Sequence, residues 1–277
     1  MSVRVERLLG SFRAQDAVTL PGALPSLRDL FVTATEDTPV VGIFLSSGDP
    51  TAAEICAGTG FDYLLIDGEH SPLSLESIQA QLRTIAAYPT LSMVRVPAND
   101  PVLIKQYLDL GAQSIVVPMV DTVAEAQAAA AAVAYPSHGL RGVGSALARS
   151  GRWGRIPGYL GRARETLTLL VQAESVSAVD NAGRIAAVEG VDGVFVGPSD
   201  LAASMGLLGL QTHPDVVASV KHVISEVKAA GKFVGVNAFA RDQAQDYLAA
   251  GADFVNVGAD VALLATASRS LLEAFGK

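Results

Sequence analysis

The sequence holds one cysteine, Cys56, so a disulfide framework or a thiolate zinc site within one chain is excluded and a reducing compartment is implied. Cys56 itself reads as a small buried apolar residue near the start of a helix. With a net charge of -8 and no cluster of lysine and arginine interleaved with aromatics, the footprint of a nucleic-acid binder is missing. No apolar run approaches the roughly 20 residues that a membrane span needs. The first residues, "MSVRVERLLGSFRAQDAVTL", lack the continuous apolar core of a signal peptide. These absences lead to the expectation of a cytoplasmic protein with neither a nucleic-acid nor a membrane partner. Half of the residues are apolar, which excludes a disordered chain and provides for a large core.

What is present is a rhythm. From residue 39 onward, short β-rich apolar runs alternate with Ala-rich helical stretches: "VVGIFLSS" (40–47), "DYLLIDGE" (62–69), "LSMVRVP" (91–97), "SIVVPMVD" (114–121), "LTLLVQAE" (167–174), "GVFVGPSD" (193–200), "FVGVNA" (233–238) and "DFVNVGAD" (253–260). Continuous apolar strands joined by helices are the pattern of a parallel sheet buried on both faces, and eight such units predict an α/β chain folded as a (β/α)8 TIM barrel over 39–277. Four joints, "GTGFDYLLID", "DLGAQSIVVPMVD", "VEGVDGVFVGPSD" and "AAGADFVNVGAD", place a glycine where a helix must stop before a strand. An open dinucleotide-binding sheet is disfavoured, since no GxGxxG follows any strand. Residues 1–38 form an arm whose "LPGALPSLRDLF" contains a short helical pattern; it can pack under the barrel, serve a contact between subunits or stay disordered. One long connection, Tyr135 to Glu165, carries six arginines (Arg141, Arg149, Arg152, Arg155, Arg162, Arg164) and reads equally as a solvated basic loop or as an anion-binding lid.

In such a barrel the catalytic face is built from the C-terminal strand ends. Those ends bring Asp67, Glu69 and His70, then Arg95, Asp121, Gln172 and Glu174, Asp200, Asn237 and Asp260. Converging carboxylates repel one another unless a proton, an arginine or a metal compensates. Oxygen ligands without thiolates or clustered histidines suit a hard divalent cation, and Glu174 with Asp200, on consecutive strands, is the favoured pair. Asp67 lies three residues before His70 and is expected to orient its imidazole. Arg95 closes an apolar strand and is expected to face the carboxylates or an anionic substrate. Imine chemistry is disfavoured: Lys105, Lys221 and Lys228 fall on helices, Lys232 lies opposite the mouth, and Lys277 ends the chain.

The stretches "FDYLLIDGEHSP", "VRVPANDP", "GAQSIVVPMV", "RGVGSALARSGRW", "LLVQAES" and "VEGVDGVFVGPSDLAASMG" together resemble the HpcH/HpaI aldolases, near the branch that acts on 4-hydroxy-2-oxoheptanedioate. The resemblance covers roughly 39–275. It implies a class II pyruvate aldolase that uses Mg2+, Mn2+ or Co2+, takes pyruvate and an aldehyde as partners, and forms a homo-hexamer exchanging its C-terminal helices. By the same resemblance Glu174 and Asp200 bind the metal, Arg95 steadies the enolate oxygen of pyruvate, and His70, oriented by Asp67, moves the proton of the C4 hydroxyl. Gln172 supports the metal's water shell, and backbone amides near the stretch Gly197, Pro198, Ser199 and Asp200 hold the pyruvate carboxylate. Asp109 falls at a family position near a subunit contact.

Two departures stand out. The first strand, "GIFLSSGDP", lacks the tryptophan of the nearest branch, and Asn237 stands where an aliphatic residue is expected, which suggests a hydroxylated or smaller aldehyde. Alternatives with the same metal and enolate are an oxaloacetate decarboxylase and an acyl-thioester lyase. A non-catalytic acid-binding barrel would have lost a metal carboxylate or the histidine, and all of these are present.

Overall fold

The computed structural model describes residues 26–34 and 38–276. Eight parallel strands close into a barrel in sequential order, with the first strand paired to the last. The strands are β1 (Val40–Leu45), β2 (Tyr63–Asp67), β3 (Leu91–Arg95), β4 (Ser114–Val117), β5 (Thr168–Ala173), β6 (Gly193–Val196), β7 (Phe233–Asn237) and β8 (Phe254–Ala259). All eight predicted runs are strands, each ending one to four residues earlier than the apolar pattern, because the polar tails turn into the mouth.

The helices, in chain order, are α1 (Leu27–Val32), α2 (Pro50–Thr59), α3 (Leu75–Ile85), α4 (Pro101–Asp109), α5 (Val123–Val133), α6 (Tyr159–Arg162), α7 (Val176–Ala186), α8 (Pro198–Ser204), α9 (Pro214–Ala229), α10 (Arg241–Ala249) and α11 (Asp260–Glu273). Gly60, Gly111, Gly190 and Gly251 sit at φ 104°, 97°, 93° and 106°, the left-handed geometry expected at the four joints.

Two apolar layers follow from strand alternation. Side chains pointing outward, among them Ile43, Leu64, Val94, Val171 and Val236, pack under the surrounding helices. Those pointing inward, including Phe44, Leu65, Met93, Leu170, Phe195 and Phe254, fill the lumen. Leu27, Leu30 and Phe31 of α1 belong to the inner layer: the Phe31 ring stacks on Phe254 at 4.4 Å with an interplanar angle of 8°. α1 opens with a capping box between Ser26 and Asp29 and closes the barrel at the N-terminal strand ends. The part of the predicted arm that is described therefore packs beneath the barrel; residues 1–25 lie outside the described residues.

The arginine-rich connection leaves the C-terminal end of α5 and enters the N-terminal end of β5, so it lies at the closed end of the barrel. It is no lid over this chain's mouth, and part of it is not solvated either. Arg141 is buried, paired with Asp109 at 2.9 Å and stacked on Tyr135 at 4.6 Å. Asp109, at the end of α4, is thereby an internal partner of this loop. Arg164 joins Asp192 at 3.0 Å. Cys56 is buried in α2.

Candidate active site

Apolar strands β2 and β3 carry their last residues side by side, since Asp67 pairs in register with Arg95. Arg95 is buried, and its guanidinium makes a two-point contact with Asp67: Nε to Oδ1 at 2.9 Å and Nη2 to Oδ2 at 2.9 Å. Its remaining nitrogen, Nη1, lies 2.9 Å from Glu69 Oε2. Beneath it, the Phe44 ring of β1 sits 5.0 Å from the guanidinium carbon, a cation–π support for the same orientation.

Asp67 does not contact the imidazole of His70. Its Oδ1 accepts from the backbone N–H groups of Glu69 at 3.1 Å and His70 at 3.3 Å, so it shapes the turn that presents His70. The carboxylate nearest the ring is Glu69, 3.7 Å from Nε2. Gly68 makes this turn compact: a Cβ there would meet the Arg95 carbonyl and the Tyr107 hydroxyl at 2.6 Å. The His70 side chain is 64% exposed, which leaves it free to reach into the mouth.

At the end of β5, Glu174 is buried and its Oε1 accepts from the Met119 backbone N–H at 2.9 Å. Gln172 donates to Glu174 Oε2. Met119 adopts φ 52°, a left-handed conformation that costs a non-glycine residue about 1–2 kcal/mol and here aims an N–H at the carboxylate. Gly197 follows β6, and a Cβ there would stand 2.6 Å from Glu174 Oε2. Its hydrogen atom is what lets the β6–α8 junction approach the carboxylate. Asp200 belongs to the first turn of α8 rather than to the strand end; Pro198 is buried there, Ser199 and Asp200 are exposed, and no side chain caps the turn.

Charge sets the character of the site. Burial, reinforced by the charges of Asp200 and Glu69 and only partly opposed by the Met119 N–H and Arg95, pushes the Glu174 carboxyl up to about 7. Burial likewise raises Glu69 despite Arg95 and His70. Burial also acts on Asp67, but the Arg95 hydrogen bond and charge, with the two backbone N–H groups, outweigh it and hold that carboxyl below its usual range. Among the described residues Asp67, Glu69 and Glu174 thus act with one guanidinium, that of Arg95, while Asp200 adds its negative charge to Glu174 and Glu69. Among the described residues no three His, Cys, Asp or Glu side chains converge into a ready-made metal cage.

Other predicted mouth residues serve the frame. Asp121 accepts from the Ser175 hydroxyl at 2.5 Å and ties β4 to α7. Asp260 accepts from the backbone of Ser46 at 2.8 Å and of Ser47 at 3.2 Å, tying α11 to the end of β1. Asn237 is half-buried, 3.5 Å from the amide nitrogen of the buried Asn256. Asn256, Phe44 and Met119 were not singled out from sequence. Asn256 in the run "DFVNVGAD" is a polar residue at an inward position and was the one legible signal among them.

The comparisons agree with this architecture. The sequence matches the family described as HpcH/HpaI aldolase/citrate lyase over residues 40–267. It is 52% identical over 237 residues to the hydroxypyruvate/pyruvate aldolase of Deinococcus radiodurans, covering 86% of each chain. It is 48% identical over 238 residues to the 4-hydroxy-2-oxo-heptane-1,7-dioate aldolase of Salmonella dublin, covering 86% of this chain and 90% of that one. The crystal structure of an HpcH/HpaI aldolase/citrate lyase family protein from Burkholderia cenocepacia superposes with a TM-score of 0.85 at 40% identity, over 91% of this chain and 99% of that one. The curated relatives are aldolases, and this chain is a carbon–carbon lyase. A closed parallel barrel with acidic strand ends, matched by sequence and by structure along most of its length, belongs to the HpcH/HpaI aldolase/citrate lyase family.

Proposed function

We propose that this chain is a metal-dependent class II aldolase that cleaves or forms 4-hydroxy-2-oxo acids, with pyruvate and an aldehyde as the other partners. The observation that carries the reading is the charge imbalance: buried Glu174, with its carboxyl raised to about 7, faces the charges of Asp200 and Glu69, with Arg95 as the one nearby guanidinium among the described residues. The donor set fits a hard divalent ion such as Mg2+, Mn2+ or Co2+, which takes one or two protein carboxylates and leaves its other positions to water and substrate. Glu174 and Asp200 would hold it, with Gln172 fixing the Glu174 carboxylate. Such an ion supplies Lewis-acid stabilisation to the 2-oxo group as negative charge develops.

The chain's own residues account for the remaining steps. Arg95, locked by Asp67, Glu69 and Phe44, presents N–H groups to the oxygen on which charge accumulates as the C3–C4 bond breaks. His70 accepts the proton of the C4 hydroxyl, and the electron pair of the broken bond passes to C3 and the adjoining carbonyl. Glu69, beside the imidazole, stabilises the protonated ring. The uncapped N–H groups of Ser199 and Asp200 hold the carboxylate of the substrate. Asn237, at the rim of β7, is placed to meet a polar aldehyde.

The names of the relatives support pyruvate or hydroxypyruvate as the donor. Oxaloacetate decarboxylation passes through the same enolate and is expected as a side activity. The test is pyruvate release from a panel of 4-hydroxy-2-oxo acids by metal-stripped protein, before and after a divalent ion is restored.

The same reading extends to assembly. Every described residue of 261–276 is exposed, including Leu263, Leu264, Leu271, Leu272 and Phe275, so α11 beyond Asp260 is itself uncovered and apolar in the single chain. Helices of this kind, exchanged between copies in a homo-hexamer, would bury those side chains.

A further inference from the structure

At the closed end of the barrel, Arg149 and Arg152 have no acidic partner among the described residues. Arg149 is only 8% exposed, yet its guanidinium meets backbone carbonyls alone: Nη1 donates to Leu110 at 3.2 Å and Nη2 to Leu82 at 3.5 Å. Among the described residues Arg149, Arg152 and Arg83 make no ion pair, although both neighbours act electrostatically on Arg149. Burying a guanidinium beside two like charges is costly unless an anion compensates.

Arg149 and Arg152 also line two adjoining cavities, one of about 40 Å³ at the N-terminal ends of β4 and β5 and one of about 120 Å³ at those of β3 and β4. The smaller is further lined by Arg162, Ser150, Tyr159 and Gln113, and among the described residues neither cavity has an acidic side chain in its wall. Arg162 is engaged with Glu165 at 3.0 Å in an exposed pair, which leaves Arg149 and Arg152 as the uncommitted cations. Guanidinium, hydroxyl and amide donors around a small volume match a tetrahedral oxyanion.

The geometry points to a phosphate-binding site at the closed end of the barrel, formed by Arg149 and Arg152 and remote from the carboxylates of the mouth. Its ligand is inorganic phosphate or the phosphoryl group of a small monoester. Because Arg149 bridges the C-terminal ends of α3 and α4, occupancy braces two helices whose opposite ends follow β2 and β3.

The test is thermal unfolding and calorimetric titration of the full chain with Mg2+ present, using about 10 mM inorganic phosphate against chloride of equal ionic strength. The wild type is expected to gain thermal stability in phosphate alone, and Arg152→Gln, which removes no hydrogen bond of the fold, is expected to weaken phosphate binding about tenfold or more. Aldol cleavage by Arg152→Gln should stay near that of the wild type. A small phosphate monoester binding more tightly than phosphate assigns the site to a phosphorylated metabolite; equal or weaker binding assigns it to the free ion. No phosphate-specific stabilisation, or an effect unchanged in Arg152→Gln as expected for phosphate on a metal at the mouth, would overturn the proposal.

Discussion

Glu174 carries the sharpest consequence of the geometry at the scale of one residue. Its carboxyl is raised from 4.5 to about 7, so between those pH values the folded metal-free chain keeps a proton that the unfolded chain has lost. A raised folded value gives stability that is complete below 4.5 and lost as pH rises through about 7, so the metal-free chain should lose stability across that window. A divalent ion held by Glu174, as proposed, would have to displace the same proton. Its affinity should therefore fall about tenfold for each pH unit below 7 and level off above it. Calorimetric titration across pH 5 to 8 checks this, and an affinity that does not vary with pH would remove Glu174 from the metal. The acidic ring was legible as residue types, because Asp67, Glu69, Arg95, Gln172 and Glu174 end apolar strands. Their pairing was not: sequence spacing suggested Asp67 for the His70 ring, whereas register places it against Arg95 at 2.9 Å. Cross-strand neighbours outrank sequence neighbours where two parallel strands end together.

Two junctions show what short elements contribute. Gly197, between β6 and α8, is the position where a methyl group would press on Glu174 Oε2 at 2.6 Å. Gly197→Ala should cost about 10- to 100-fold in metal affinity, beyond the loss of about 1–3 kcal/mol in stability that the added methyl imposes by overpacking. Undiminished metal affinity would show that the junction does not set the carboxylate. At the other end of the barrel, α1 inserts Phe31 against Phe254 and Phe233, with ring centroids at 4.4 and 5.3 Å. Phe31→Ala should destabilise the fold by about 3–5 kcal/mol in denaturant unfolding, with the metal affinity of the remaining folded protein unchanged. A cost near zero would mean that α1 is an ornament and not part of the core. The eight strands were readable because each is a continuous apolar run bounded by a helix-stopping glycine. The position of α1 was not, because "LRDLF" gives a helical stripe without saying which cavity receives it. The arginine-rich connection reads equally as a solvated loop or an anion-binding lid for a similar reason: composition reveals charge, while only the αβ sense of the connection reveals which end of the barrel it occupies.

For the whole molecule, α11 separates what the isolated barrel needs from what an assembly needs. Asp260 anchors it to Ser46 and Ser47, and beyond that residue its leucines and Phe275 stand in solvent. Replacing Leu264 and Leu271 by aspartate should leave the barrel folded and reduce the assembled mass measured by light scattering; an unchanged mass would remove α11 from the interface. At this scale the acidic mouth is expected to work only with a divalent cation. The most direct measurement is pyruvate release from 4-hydroxy-2-oxo acids by metal-stripped protein, repeated with Mg2+, Mn2+ or Co2+ restored and with Glu174→Ala beside it. Activity that returns with the metal in the wild type and stays at least about 100-fold lower in Glu174→Ala is the predicted result. Full activity without metal, or a metal response that survives the loss of Glu174, would contradict it.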